Sequence, residues 1–391
     1  MFKIERDASP MHTHKRYKKV VFVASLSFNR WLSGNAYSEG ANQVQLEIAE
    51  KIANEVDSEN VDTVSMMPIE AFPRGLLFSR GIVEKKVRQI GFLNLPLLKH
   101  FTFSLGLFFY LVRVRPDLVV IYNSFFFQNL VLRIYKFLWP EQKIAIFVQD
   151  VLPVGRGFRS IQRFLDKKSL SLTSAFDLVL PISEYVTNDF NITAPSLIIR
   201  GGITKKIIDR FSRKASNNKK IRRVVFAGAL ESHNGVDRLI NIWPKLNLDI
   251  ELHVFGKGSL ESKVLAATKN FPKIKYHGFI DHDAIQAFVA DSEFVIVLRY
   301  DSNIESKYFF PSKFWEAMAS HATVICNAFI CFPDDLKKFC LMVDDDLSNL
   351  GAELEKNGDK FDQETNTLRR NYVIGNCTWA AHIKRMLSHL E

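Results

Sequence analysis

Short apolar runs, each long enough for one buried strand, recur along this chain and are separated by stretches of helical character. They fall at Lys19–Leu26, Val61–Met66, Arg115–Asn123, Lys143–Pro153, Asp177–Glu184 and Leu197–Ile203 in the first half. In the second half they fall at Arg223–Leu230, Asp249–Gly258, Lys275–Ile280, Phe294–Leu298, Ala322–Cys326 and Met342–Asp346. Strands that alternate with helices pair in parallel, because a helix must carry the chain back before the next strand starts. The pattern therefore predicts an α/β protein with buried parallel sheets. Each half opens on strand, glycine-containing loop, helix. The first has Gly34 and Gly40 ahead of a helix over 42–54; the second has Gly228 and Gly235 ahead of a helix over 236–243. Neither spacing is G-x-G-x-x-G, so a dinucleotide fingerprint is absent.

A chain of 391 residues holds two domains of this kind. The expected division is a loose tail over 1–17, a first Rossmann-like domain over 18–200 and a second over 201–372. A closing segment over 373–391 follows. Gly201 and Gly202 read as a hinge, and Lys205–Lys220 as a basic connector. The net charge of +10, concentrated in the first half, suits nucleic acid, an anionic bilayer or phosphorylated substrates. No basic low-complexity arm or nucleic-acid motif occurs, so nucleic acid ranks last. The four cysteines (Cys326, Cys331, Cys340, Cys377) form no C-x-x-C pair, and from the polar, charged start no signal peptide is expected. A cytoplasmic chain with reduced thiols is expected.

The longest apolar run, Phe101–Val112, lies between Lys99, His100, Arg113 and Arg115. Twelve residues are too few to span a bilayer. Two readings stay open: a core helix, or shallow insertion at an anionic membrane surface, giving a peripheral membrane contact.

Functional residues are expected at strand ends, where α/β folds bind ligands. Asp150 ends the fourth run and is a candidate base. Arg156, on the loop after it, is placed to face an anionic acceptor or water. Arg299 ends the Phe294 strand. Phe310–Asn327 then combines a helix start at Pro311 and Ser312, an apolar helix and a buried strand. The free N–H groups at that helix start suit phosphate. Glu316 is the charged residue amid its bulky apolar neighbours, suited to accepting hydrogen bonds from a vicinal diol. On an amphipathic helix it would instead simply face water. The histidines show no metal-ligand spacing, and Asp344–Asp346 reads as a cap for the next helix, so metal-independent chemistry is expected.

Phe310–Ala319, reading Phe-Pro-Ser-Lys-Phe-Trp-Glu-Ala-Met-Ala, resembles the donor-site motif of GT-B glycosyltransferases, especially the large bacterial retaining family 4. In many members two glutamates stand eight positions apart. Glu316 matches the second, Tyr308 stands where the first would be, and Glu305 is out of register. Gln149-Asp150-Val-Leu-Pro153 is similar to the family's H-D-x-x-P, with glutamine for histidine. Gly228 to Leu239 resembles G-x-L-x-x-x-K-G-x-x-x-L, with Ala229 and Asn234 where basic residues are common. Gly256-Lys257-Gly258 matches a family G-x-G, and the residues around Gly278 and Phe279 match a segment that contacts the base. Gly34 matches a loop that reaches the cleft. Thr378-Trp379 matches the start of a closing helix that crosses back to the first domain.

The resemblance implies two Rossmann-like domains facing across a cleft and transfer of a sugar from a nucleoside diphosphate to a hydroxyl. The expected acceptor is a lipid-linked surface polysaccharide or lipopolysaccharide precursor, and the anomeric configuration is retained. Glu316 would hold the ribose or a sugar hydroxyl, and Ser312 the phosphate. Arg299, Lys313 or Lys307 would meet the diphosphate charge. The nucleotide sugar is a substrate, and no cofactor is expected. The alternatives are a GT-B sugar-nucleotide enzyme of the epimerase type, and an inactive sugar-nucleotide-binding protein.

Overall fold

A computed structural model describes residues 17–28, 38–56, 58–96, 98–123, 125–151, 158–213, 221–302, 305–356 and 363–391. Gly34, Arg156, residues 1–16 of the expected tail and residues 214–220 of the expected connector lie outside them.

The first half builds β1 (Val20–Ala24), β2 (Val61–Ser65), β3 (Phe78–Ser79), β4 (Val83–Glu84), β5 (Val87–Gln89), β6 (Phe92–Leu93), β7 (Leu118–Tyr122), β8 (Lys143–Val148) and β9 (Leu178–Pro181). The main sheet has the order β4-β5-β2-β1-β7-β8-β9 and is parallel except at its β4 edge. The second half builds β10 (Ile221–Ala227), β11 (Glu251–Phe255), β12 (Ile274–Tyr276), β13 (Ser292–Val297), β14 (Thr323–Asn327) and β15 (Cys340–Val343). Its sheet is wholly parallel, in the order β12-β11-β10-β13-β14-β15. The strands are nearly continuous Val, Ile, Leu and Phe because helices cover both faces. In both sheets the chain starts in the middle, builds outward on one side and returns to build the other. That order opens a crevice at the strand carboxyl ends, between β1 and β7 and between β10 and β13.

Helices Leu98–Val114, Phe126–Leu138 and Phe158–Leu172 cover one face of the first sheet, with Phe103, Leu107, Leu111, Leu132 and Leu170 in the core beneath them. Helix Glu39–Val56 covers the other face together with Trp379–Leu390, the last helix of the chain. Thr378 caps this last helix by accepting from the Ala381 N–H (3.1 Å). Trp379 packs edge-on against Phe147 and Tyr122, and Ile383, Met386, Leu387 and Leu390 join Phe22, Ile48 and Ile52.

Three expectations are corrected. Leu197–Ile203 forms no strand: Leu197 and Ile199 donate to Val179 and Pro181 of β9, but Pro181 and Pro195 have no N–H to extend the ladder. Tyr17, placed in the tail, is buried, and its hydroxyl donates to the Leu390 carbonyl. The start of the basic connector is a helix, Lys205–Arg213, whose first N–H donates to Glu47.

The hinge at Gly201 and Gly202 is gripped from several sides. Gly201 adopts φ +74°, donates to Gln149 Oε1 (3.0 Å) and accepts from His382 (2.8 Å). A Cβ at Gly202 would stand 2.8 Å from the Trp379 ring. Trp315 Nε1 donates to the Arg200 carbonyl (2.6 Å). Truncating Trp379 removes the ring that the connector and both aromatic partners rest on. Trp379→Ala is expected to cost ~3–5 kcal/mol of stability, read by chemical denaturation; a loss under ~1 kcal/mol would contradict this packing.

Candidate active site

At the carboxyl edge of the second sheet three glycine-bearing loops stack directly on one another. The Gly228 N–H donates to Phe255, Leu230 N–H to Lys257, and Gly256 N–H to Gly278. Gly256 has φ +135°, and a Cβ there would lie 1.8 Å from the Gly228 carbonyl oxygen; one on Gly258 would lie 2.6 Å from that of Leu230. Gly235 starts helix Val236–Ile242 in a left-handed conformation, and its missing Cβ makes room for Tyr300. The glycines thus serve close backbone contact. Phe279 is exposed beside Gly278, with the Lys257 ammonium 4.6 Å above its ring.

Arg299 follows β13 at the crevice. Its Nη1 donates to Asn234 Oδ1 (3.1 Å), so a guanidinium arrives from a different strand at the position where lysine is common in the resembling family. Burial pulls its pKa below the ordinary guanidinium value. Its Nε is buried without a hydrogen-bond partner, and among the described residues no carboxylate pairs with it. Asn327, which ends β14, holds the backbone of Arg299 in place: it accepts from the Arg299 N–H and donates to its carbonyl, both at 2.9 Å.

Glu316 lies on helix Ser312–Ala319, and its side chain is 18% exposed. Both carboxylate oxygens accept from Lys313 Nζ at 3.1 Å, and Oε2 lies 2.9 Å from His282 Nε2. Burial would raise its pKa, but the His282 hydrogen bond and the Lys313 charge outweigh this and hold it below the ordinary carboxylate value. Lys313 Nζ also lies 2.7 Å from His282 Nε2. The helix start differs from expectation: Pro311 is the N-cap and Ser312 the first helical residue, so no side chain caps the end. Ser312 is exposed there.

Lys307, expected to be available for phosphate, is not. Its Nζ pairs with Asp189 of the first domain (2.6 Å), and the hydroxyl of Tyr308, at the first glutamate's place, donates to the same carboxylate (2.7 Å). Among the described residues no group of three His, Cys, Asp or Glu side chains could hold a metal ion. Asp344–Asp346 shape the turn before helix Leu350–Lys356, with Asp346 accepting from the Ser348 N–H.

Asp150 stands apart from these groups, on the first domain. It lines a cavity of about 310 Å³ with Ser25, Asn42, Gln45, Asn123 and Phe125. The protein packed around its carboxyl raises its pKa, an effect that the Asn123 Nδ2 hydrogen bond (2.8 Å) partly offsets. Asn123, in a left-handed conformation with φ +48°, also accepts from the N–H groups of Gln149 and Asp150. Gln149 points inward: its amide donates to the Leu180 and Ile199 carbonyls as well as accepting from Gly201.

Asn123, Asn327, His282 and Arg369 were missed in the sequence reading. The two asparagines carry a signal, since each is a polar residue directly after an apolar run. Arg369 is fully buried, and its guanidinium donates to the Met318 and Ser320 carbonyls at the end of the Glu316 helix; burial lowers its pKa to about 10. Because the Glu316 carboxylate is held ionised, its contribution to stability is present above the ordinary glutamate pKa near 4.5 and is lost as pH falls through the lower folded value. Glu316→Gln is expected to be ~1–2 kcal/mol less stable than wild type at neutral pH, with the gap closing as the pH falls below the ordinary glutamate pKa. Equal acid dependence of the two proteins in denaturation would refute the ion pair.

Residues 221–354 match the family described as "Glycosyl transferases group 1". No curated protein matches the chain significantly. Among solved structures the chain is similar to sucrose-phosphate synthase from Thermosynechococcus elongatus, at TM-score 0.64 and 13% identity, covering 95% of this chain and 99% of that one. It is also similar to the lipopolysaccharide outer core galactosyltransferase WaaB, at 0.63 and 13%, with 95% and 99% covered. A third similar structure is trehalose-6-phosphate from E. coli bound with UDP-2-fluoro glucose, at 0.63 and 10%, with 94% and 98% covered. These identities speak for the fold, which is GT-B, and the group 1 match over 221–354 falls within the second domain.

Proposed function

We propose that this glycosyltransferase moves a sugar from a nucleoside diphosphate held by the second domain to a hydroxyl of a saccharide seated against the first. The observation that carries this is Arg299: a partly buried guanidinium at the strand ends whose Nε is buried without a hydrogen-bond partner, and which has no carboxylate partner among the described residues, in a crevice where this fold binds ligands. A diphosphate supplies the missing charge. The bond from the anomeric carbon to the diphosphate oxygen breaks, and negative charge grows on the leaving oxygen. Arg299 and Lys313 meet that charge, with the free N–H groups at Ser312. Glu316 accepts hydrogen bonds from a ribose or sugar diol, with Lys313 and His282 fixing its position. The loops at Gly228, Gly235, Gly256, Gly258 and Gly278 let the substrate approach the backbone, and Phe279 lies against the base.

Asp150 takes the proton of the acceptor hydroxyl; a carboxyl with a raised pKa is the better base for this. In the cavity beside it, Ser25, Ser38, Asn42, Gln45 and Asn123 set hydroxyl and amide groups among the apolar walls, a mixture that suits the polar and apolar faces of a saccharide. A surface polysaccharide or lipopolysaccharide precursor is the acceptor we favour, in line with the similarity to the lipopolysaccharide outer core galactosyltransferase WaaB. Retention of configuration follows from the family 4 resemblance. Arrangement of Tyr308 on Asp189 supports a second reading, a sugar-nucleotide-binding protein without turnover.

Purified protein should melt at a higher temperature with UDP-glucose, or with another nucleotide sugar from a panel. Arg299→Met should weaken that binding tenfold or more, the loss of a charge-assisted contact. Asp150→Asn should keep the binding and lose transfer. An Arg299→Met protein that binds the nucleotide sugar as tightly as wild type sinks the donor site; wild-type binding without transfer to any saccharide favours the second reading.

A further inference from the structure

The layer of helices over the outer face of the first sheet has one side in the core and an unusual other side. Helices Leu98–Val114, Phe126–Leu138 and Phe158–Leu172 pack against one another in chain order. On the first, Leu98, Phe101, Leu105 and Phe109 recur at helical spacing opposite the buried Phe103, Leu107 and Leu111, and all four are exposed. Phe109 is 61% exposed. The second helix adds Ile134, Leu138 and Phe137, which is 85% exposed, and the third adds Phe164 at 60%. Elsewhere on the described helices, exposed large apolar residues are few: Leu46, Leu265, and Leu368 with Ile374, six positions apart on one helix. No helix among the described residues is long and apolar enough to cross a membrane.

Charge identifies the occupant. The sequences of the three helices hold eight Lys and Arg and a single acid, Asp166. Arg113, Arg133, Lys167 and Lys168 are exposed. A second copy of this face would set like charges against each other. An anionic lipid surface accepts both components, phenylalanine rings at the headgroup boundary and basic side chains among the phosphates.

We propose that this helical layer docks on an anionic bilayer, seating the first domain on a membrane surface. The Asp150 cavity opens beside the same layer: Phe125 directly precedes the second helix, and Ser169 and Leu170 belong to the third. Given the transferase reading above, docking brings a lipid-linked saccharide to Asp150 while its lipid stays in the bilayer. The docking surface itself stands on the exposed rings and the charge.

The test is flotation of the full chain with vesicles of phosphatidylcholine alone or mixed with phosphatidylglycerol. Wild type should float with the mixed vesicles, weakly with the neutral ones, and less as salt rises. The double variant Phe109→Asp, Phe137→Asp should lose binding by roughly tenfold or more. Lys167→Gln with Lys168→Gln should weaken it and flatten its salt dependence. Circular dichroism and the melting shift with UDP-glucose report folding and the donor site separately. A wild type that ignores mixed vesicles, a folded double variant that floats as well as wild type, or a wild-type dimer that the double variant splits would overturn the proposal. Absence of any nucleotide-sugar effect with vesicle binding intact would fault the transferase reading and leave the docking surface standing.

Discussion

Parallel strands bring all their carboxyl ends to one edge, and a sheet that begins in its middle leaves a gap there that no crossover helix fills. Both sheets of this chain do so, at β1/β7 and at β10/β13. A charged side chain with no ion-pair partner among the described residues stands at each gap: Asp150, bonded to Asn123, at one, and Arg299, bonded to Asn234, at the other. Burying a guanidinium is unfavourable unless something offsets it. At the second gap, among the described residues, only an amide oxygen does. The fold tolerates the cost locally because Asn327 and the stacked glycine loops hold the strand ends rigidly around it.

The two halves are joined by more than a connector. Gln149 at the end of β8 ties the hinge to β9, Trp315 of the second domain reaches the Arg200 carbonyl, and Asp189 receives Lys307 and Tyr308. Trp315 and Glu316 are neighbours on one short helix whose far end Arg369 caps. The helix that carries the candidate ribose-binding carboxylate is therefore also a strut between domains. Movement of one domain against the other would be felt at Glu316 through a single turn of helix.

Much of the α/β architecture could be read from apolar runs, because a strand buried on both faces has little choice of residue. The exception, Leu197–Ile203, shows the limit: it has strand composition but lies beside two prolines that interrupt pairing. Glycine spacing pointed to the stacked loops, yet not to why Gly256 cannot carry a side chain, which depends on a carbonyl 28 positions away in the chain. The pairings of Lys307 with Asp189 and of Arg369 with the Glu316 helix were invisible, since long side chains meet wherever the tertiary fold brings them. The run at Phe101–Val112 was ambiguous for a related reason. Its helix is core on one face and exposed on the other, and composition alone does not say which residues face which way.

The twelve-residue helix that begins at Trp379 completes the hydrophobic core around Phe22, Ile48 and Ile52, which lie far away in the first domain's sequence. On a ribosome, the first domain would emerge with that groove uncovered and stay so until this helix is made. Contacts this distant in sequence close slowly. The second domain has all its strands in one continuous segment and is free to settle as soon as it is made. The half translated first would then be the half that matures last, and its open groove is the surface a nascent-chain chaperone would meet.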